Sequence, residues 1–214
     1  EGGCGSGQAS RGLAVHVDRV HASDPSAAQI AQAHAPGNVH FVVETAEACS
    51  LGDASADLVF VAQALHWFDR VAFFGECERV LRPGGLLVAC GYQDLVPPDV
   101  IDAPFDAFRA QIAPYWPEQR AWVDAAYAGF DWPFAAVAVP QFTMRAQWPL
   151  ARLLGYLSSF SASQRCREIT GVDAVAAHAE AIAAAWGPAE TVRELHWPLF
   201  VHARSKPGGD ASSP

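Results

Sequence analysis

Glu1-Gly2-Gly3-Cys4-Gly5-Ser6-Gly7-Gln8 opens the chain, and the reading of everything after it turns on this stretch. Glycines at alternate positions, Gly3, Gly5 and Gly7, let a backbone turn tightly and approach a ligand closely, because no Cβ intervenes. Residues 9–13 contain no helix breaker except Gly12 and read as a short helix. A glycine-rich turn running into a helix N-terminus aims backbone N–H groups and the positive end of a dipole at whatever binds there. An apolar strand normally delivers such a turn; none precedes Glu1, and upstream residues are expected.

Composition narrows what can bind. The 214 residues suit one domain of generous size, or a core domain with a large insertion. A hydrophobic fraction of 51% and a charged fraction of 17% describe an ordinary globular protein with a sizeable core. The formal net charge of −9 argues against nucleic acid, whose phosphate backbone is bound by clustered Lys and Arg. Cys4, Cys49, Cys77, Cys90 and Cys166 form no CxxC pair and read as buried thiols of a reducing compartment, neither disulfides nor metal ligands. No apolar run reaches membrane-spanning length and no signal peptide is visible, so no membrane partner and a cytoplasmic location are expected.

Beyond the turn the chain alternates between strand and helix patterns. Residues 19–23 read as a short strand ending at Asp24-Pro25-Ser26, and Ser26 can cap a helix over 27–35 that Pro36-Gly37 closes. Residues 39–43 form a second β-rich run and 44–52 a loop or a short turn of helix. Within 57–62, Leu58, Val59, Phe60 and Val61 are continuously apolar, as in a strand buried on both faces. Residues 73–81 are helical with Glu76, Glu78 and Arg79 on the wet side, Arg82-Pro83-Gly84-Gly85 ends that helix, and 86–90 is the next buried strand. This spacing means βαβ units and a parallel sheet covered on both faces.

After Tyr92 the alternation stops. Residues 95–190 read as a helical insertion, rich in Trp, Tyr and Pro, that carries one strand and could form a lid over the sheet's C-terminal edge. It includes strand character over 137–148, helical spacing over 150–160 and an Ala-rich helix over 172–186 that Gly187-Pro188 stops. Residues 191–204 alternate as a final strand, and 205–214 read as a disordered tail. The expected division is therefore a cofactor-binding core over 1–94, the insertion over 95–190, the last strand and the tail.

Four features line up with the order a nucleotide-type site needs. The glycine turn comes first, although a nicotinamide fingerprint wants Gly-x-Gly-x-x-Gly and this chain has Gly-x-Gly-x-Gly. Asp24 follows at the end of the next strand, where a carboxylate can accept both hydroxyls of a ribose; the plainer alternative is an Asp-Pro turn. Ala46-Glu47 after the third strand can meet an adenine edge, or Glu47 is a solvated loop residue. Last is Gln63-Ala64-Leu65-His66-Trp67-Phe68-Asp69, which places an imidazole and an indole at a sheet edge; core packing is the alternative for Trp67.

Taken with Asp57-Leu58-Val59 and Arg79-Val80-Leu81-Arg82-Pro83-Gly84-Gly85, these stretches resemble a class I S-adenosylmethionine-dependent methyltransferase of the type 11 group. The resemblance covers 1–92. Tyr156-Leu157-Ser158-Ser159-Phe160-Ser161 and His196-Trp197-Pro198-Leu199 are similar to the trans-aconitate methyltransferase-like branch, with Phe160 where that branch has Trp. The resemblance implies a Rossmann-like α/β fold: a seven-stranded, mostly parallel sheet with an antiparallel last strand, three layers (α/β/α), and a helical lid. It implies that Gly3, Cys4, Gly5, Gly7 and Gln8 hold the methionine part of S-adenosyl-L-methionine, Asp24 the ribose, Pro25 the adenine face, and Ala46 with Glu47 the adenine edge. Ala62 and Gln63 border the sulfonium, and S-adenosylhomocysteine is the product. Glu1 stands where Asp is usual at the motif's start.

The expected activity is O-methylation of a small carboxylate or hydroxyl by in-line displacement. Trp67, Tyr92, Arg145, Arg152, Tyr156, Ser159 and Ser161 are candidates for holding the acceptor, and a hydroxyl acceptor would draw on His66 as general base. No metal is expected, nor any partner beyond the small molecule, and the assembly is a monomer or homodimer. A methyltransferase-like binding protein without catalysis and a nicotinamide oxidoreductase are the rival readings.

Overall fold

Short apolar runs punctuated by Gly and Pro form the elements of the chain, whose computed structural model describes residues 1–208. In chain order they are α1 (Gln8–Leu13), β1 (Val20–Asp24), α2 (Ala27–Ile30), β2 (Val39–Val43), β3 (Ala56–Ala62), α3 (Arg70–Val80), β4 (Leu81–Tyr92), α4 (Asp102–Ile112), α5 (Arg120–Asp124), β5 (Ala135–Val137), β6 (Phe142–Trp148), α6 (Leu150–Ser158), α7 (Ser161–Thr170), α8 (Ala174–Trp186) and β7 (Arg193–Ser205). The architecture is mixed α/β with parallel pairing at its centre and helices flanking the strands. No helix among the described residues is long and apolar enough to cross a membrane.

The chain divides into two compact units: Glu1–Gly91 with Ala125–Gln141 and the chain from Phe200 on, and Tyr92–Asp124 with Phe142–Leu199. This differs from the division expected at 94 and 190, because 125–141 packs with the first unit and 193–199 of β7 with the second.

In the first unit β1 pairs parallel with β2 in register from Val20 opposite Val39 to Asp24 opposite Val43. β3 pairs parallel with β4, Leu58 opposite Leu86 through Ala62 opposite Cys90. The strands thus form a two-stranded sheet and a five-stranded one ordered β3-β4-β7-β5, with β6 also on β7, where a single seven-stranded sheet was expected. The glycine-rich opening joins them: Ser23 N donates to Glu1 O (2.9 Å), Cys4 N to Ser23 O (2.9 Å), and Gly2 N to Phe60 O (3.1 Å). β7 runs antiparallel to its neighbours, as expected for the last strand, with Ala135 opposite Ser205 and Gly84 N donating to Lys206 O.

Three local expectations are corrected. β3 is half-buried rather than enclosed on both faces, with only Val61 fully covered. Its Leu58, Val59 and Phe60, with Val20 and His21 of β1, line a cavity of about 380 Å³. The helix after Asp24 spans only four residues: Ser26 Oγ accepts from Gln29 N as expected, but only Ile30 is half-buried against the core while Ala27, Ala28 and Gln29 are exposed, and a turn with so little packed surface does not propagate. Glu76 is not on a wet face; its carboxylate accepts from Cys49 N (2.8 Å) and from Arg79 Nε (2.8 Å). Arg79 reaches on to Asp53, and the cluster pins the loop after β2 to α3.

The start of the tail is anchored in the first unit, where Lys206 Nζ donates to Leu81 O (2.7 Å); the expected disorder over 209–214 lies outside the described residues.

The second unit is built on α4, α6, α7 and α8 around Phe105, Phe108, Leu153, Leu157, Ile182, Trp186 and Trp197. β6 pairs antiparallel with β7, Phe142 opposite Leu199 through Trp148 opposite Arg193. Of the aromatic residues expected to line a lid, Trp186 is buried in this unit and Tyr127 in the first, while Trp116, Trp148 and Tyr156 are half-buried against the second unit's core; Trp197 of β7 is buried too. Large aromatics bury the most apolar area per residue, so a small helical unit spends them inside.

Candidate active site

The turn after Cys4 is held by its own backbone and by one carboxylate. Gly7 N donates to Cys4 O (2.9 Å), closing the turn, and Gly5 N donates to Asp24 Oδ2 (2.9 Å). Ser26 N donates to Asp24 Oδ1 (2.9 Å), so each oxygen of Asp24 takes one bond and keeps a lone pair for another partner. Asp24 ends β1, at the carboxyl end of a parallel pair, where open α/β sheets bind ligands.

The glycines divide by what surrounds them. Gly3 (φ +66°) packs so closely that a Cβ would lie 2.7 Å from the Ala64 Cβ and 3.1 Å from the Phe68 ring. Gly7 is likewise closed off by Phe41. At Gly5 (φ +54°) a Cβ would meet nothing nearer than Gln8 Oε1 at 3.9 Å and Gln29 Oε1 at 4.0 Å. The space over Gly5 is an open cradle edged by two amide oxygens and the Asp24 carboxylate.

Glu1 is tied inward, its carboxylate accepting from the buried Ser10 hydroxyl, and burial raises its pKa. Cys4 is also buried; desolvation first, then the Glu1 and Asp24 carboxylates, push its thiol up to about 12, so it stays neutral and packs. Ala46 is buried against Gly2, and Glu47 Oε1 accepts from Asp69 N (3.0 Å), linking the loop after β2 to the one after β3. Asp69 in turn caps α3 by accepting from Ala72 N (3.1 Å). Pro25 is exposed beside Asp24. The structure therefore brings the turn together with Asp24, with Ala46 and with 64–68.

Past β3 the chain turns sharply. Gln63 adopts φ +53° directly after Ala62, and its N donates to Cys90 O (2.8 Å). A short 3₁₀ turn, Leu65–Trp67, follows, leaving Trp67 exposed and placing its ring 5.0 Å from that of His66. His66 Nδ1 lies 3.0 Å from Tyr127 Oη. Tyr127 carries φ +57° next to Ala126 at +49°, is stacked on Phe130 at 4.9 Å and meets Phe200 edge-on at 4.8 Å. A bulky residue in the left-handed region costs on the order of 1 kcal/mol and persists only where its surroundings impose it. Sequence reading missed Tyr127 and the capping role of Asp69: a lone Tyr among alanines carries no period, and the Asp69 cap lies four residues before the helical pattern recognised at Phe73.

The acceptor-binding candidates other than Trp67 lie in the second unit, and most are engaged locally. Tyr156 Oη accepts from Trp197 Nε1 (2.9 Å), its ring packs on Trp148, Phe160 and Trp197, and burial pushes its hydroxyl up to about 12. Ser159 Oγ donates to Tyr156 O (2.7 Å), and Ser161 begins α7. Arg145 pairs with Glu194 (2.6 Å) on an exposed sheet face, Arg152 lies 5.4 Å from the Trp148 ring centre, and Tyr92 ends β4 half-exposed.

A family profile described as a methyltransferase domain matches residues 1–89, the stretch that carries the turn, Asp24 and the His66 loop. A solved structure of a candidate type II methyltransferase from Anaeromyxobacter dehalogenans shares 39% identity, covering 97% of this chain and 88% of that one, with a TM-score of 0.89. The chain belongs to the class I S-adenosylmethionine-dependent methyltransferases. Within the family it is similar to a candidate methyltransferase of Dictyostelium discoideum, 31% identical over 74% of this chain. It is also similar to a malonyl-[acyl-carrier protein] O-methyltransferase of Methylococcus capsulatus, 46% identical over 26% of this chain. The chain spans 62% of the first relative's length and 22% of the second's.

Class I methyltransferases use S-adenosyl-L-methionine, and the residues present fit it. An amino-acid tail needs backbone approach without a Cβ, which the cradle over Gly5 allows. A ribose needs a carboxylate with spare lone pairs, which Asp24 keeps.

Proposed function

We propose that the chain transfers a methyl group from S-adenosyl-L-methionine to an oxygen of a small molecule. The observation that carries this reading is the open cradle over Gly5 beside the Asp24 carboxylate. Gly3, Cys4, Gly5 and Gly7 with Gln8 would hold the methionine end, Asp24 the ribose, Pro25 the adenine face, and Ala46 and Glu47 the adenine edge. Ala62 and Gln63 would border the sulfonium. The cofactor supplies a methyl carbon already activated by the positive sulfur.

The protein's task is then to hold the acceptor oxygen about 3 Å from that carbon, in line with the departing sulfur, and to keep water away. The exposed face of Trp67 can stabilise a nearby cation by about 1 kcal/mol. Oxygen as the acceptor atom is supported by the likeness to a malonyl-[acyl-carrier protein] O-methyltransferase. Acceptor binding by Tyr92, Arg145, Arg152, Tyr156, Ser159 and Ser161 is part of the proposal.

Calorimetric titration of the chain with S-adenosylhomocysteine and, separately, with NAD tests the cofactor. Binding of the first and not the second is expected; NAD binding with no response to S-adenosylhomocysteine would overturn the reading.

A further inference from the structure

We infer that Gln29 is a specificity-determining residue of the cofactor site: its side-chain amide oxygen, with that of Gln8, takes the ammonium group of the cofactor's amino-acid tail over Gly5. The inference rests on the methyl-transfer reading above and adds to it a residue and the group which that residue selects.

Gln8 opens α1 directly after the glycine turn, whereas Gln29 belongs to α2, beyond β1 in the chain. Their side chains nevertheless end at one place: a Cβ on Gly5 would lie 3.9 Å from Gln8 Oε1 and 4.0 Å from Gln29 Oε1. An atom over Gly5 is therefore within a small side-chain rotation of both oxygens. Asp24 fixes this meeting. Its Oδ2 accepts from Gly5 N (2.9 Å) and its Oδ1 from Ser26 N (2.9 Å). Ser26 in turn accepts from Gln29 N, through its carbonyl (3.0 Å) and its hydroxyl (3.3 Å). One carboxylate thus holds the turn and the start of α2 together, and the backbone beneath Gln29 is set relative to Gly5 by bonds in series.

The second observation is the capacity these amides keep. Both side chains are exposed, and neither amide has a hydrogen-bond partner among the described residues. Their oxygens stand beside a carboxylate that retains a lone pair on each oxygen. An ammonium has three N–H donors and no acceptor, so it matches such a set; a carboxylate turned toward these three groups would meet acceptors only. The charge of Asp24 adds to the preference for a cation.

The test is calorimetric titration of the full chain, Q29L and Q29E with S-adenosylhomocysteine and with 5′-methylthioadenosine, the same nucleoside without the amino-acid tail. S-adenosylhomocysteine has no sulfonium, so at about pH 7 its ammonium is the one cation it presents. Q29L should bind S-adenosylhomocysteine about tenfold more weakly, the worth of one hydrogen bond to a charged group, and bind 5′-methylthioadenosine as the parent does. Q29E keeps an acceptor and adds a negative charge, so it should bind S-adenosylhomocysteine at least as tightly as the parent.

Unchanged affinity for S-adenosylhomocysteine in Q29L, or an equal loss on both compounds, overturns the role of Gln29. A half-turn of the amide would present its NH₂ to the tail's carboxylate instead; Q29E would then lose more than Q29L, which overturns the ammonium. Should 5′-methylthioadenosine bind too weakly to titrate, the opposite signs of Q29L and Q29E decide alone, with the fold of each variant checked by circular dichroism. Absent binding of both compounds by the parent chain takes down the methyl-transfer reading itself. Parent binding of 5′-methylthioadenosine as tight as that of S-adenosylhomocysteine removes the tail contact and leaves the nucleoside site standing.

Discussion

The first unit leaves polar groups with capacity to spare at the ends of its parallel strands, whereas the second spends the same residue types on itself. Around Gly5 the backbone turns left-handed with nothing over it, and Asp24 keeps a lone pair on each oxygen. Around Tyr156, phenol, indole and serine hydroxyl are each satisfied by a neighbour in the same unit. A residue type alone therefore says little about function. Capacity left over after folding says more, and it separates a ligand cradle from a polar core.

The largest expected effect breaks or supports this contrast directly. Trp197→Ala removes a buried indole packed on Trp148 and Tyr156 and should cost about 3–5 kcal/mol in chemical denaturation. A cost under about 1 kcal/mol would mean that these aromatics are not core. Next comes Asp24→Ala. Losing a carboxylate that accepts charge-assisted hydrogen bonds is worth about 1.5–3 kcal/mol, so S-adenosylhomocysteine should bind some tenfold to hundredfold more weakly, while Glu78→Ala leaves affinity unchanged. Equal effects from the two variants would remove the ribose assignment.

Acid stability sharpens the same division from another side. Glu76 is held down to about 2 from its ordinary 4.5, first by the Arg79 guanidinium and also by Cys49 N. A depressed carboxylate stabilises the fold fully above its unfolded value, and that contribution is lost as pH falls from about 4.5 toward 2. Glu76→Gln should therefore lower the melting midpoint at pH 7 by on the order of 2–4 °C and flatten its decline over that acid window. A decline identical to the parent's would show that the cluster contributes nothing.

How much of this was legible in the sequence follows the same line. The turn, Asp24 and the strands β1 to β4 were readable, because glycine, aspartate-proline and apolar runs impose backbone geometry locally. The even spacing of Gly3, Gly5 and Gly7 could not reveal that only Gly5 faces open space; that depends on Ala64, Phe68 and Phe41, brought in from elsewhere. The aromatic residues misled for a similar reason. A Trp or Tyr suits a pocket wall and a core equally, and only packing distinguishes Trp67, exposed, from Trp186 and Trp197, buried. Helix α2 was read too long because its alanines favour helix but find nothing to pack against. The His66–Tyr127 hydrogen bond joins residues 61 apart, beyond any local pattern.

The smallest expected effect bears on whether the second unit holds any spare capacity at all. Arg145 pairs with Glu194, but both are largely solvent-exposed, with side-chain exposures of 63% and 47%. An exposed pair of this kind contributes between nothing and about 1 kcal/mol, because water and salt screen it and two long side chains must be ordered. Arg145→Ala should thus change stability by less than about 0.5 kcal/mol, and binding of S-adenosylhomocysteine not at all. Its effect on turnover of a carboxylate acceptor is the informative measurement. A drop in kcat/KM carried by KM alone, with stability intact, would mark Arg145 as a guanidinium that exchanges Glu194 for the acceptor. Unchanged kinetics would leave the pair as surface decoration of β6 and β7.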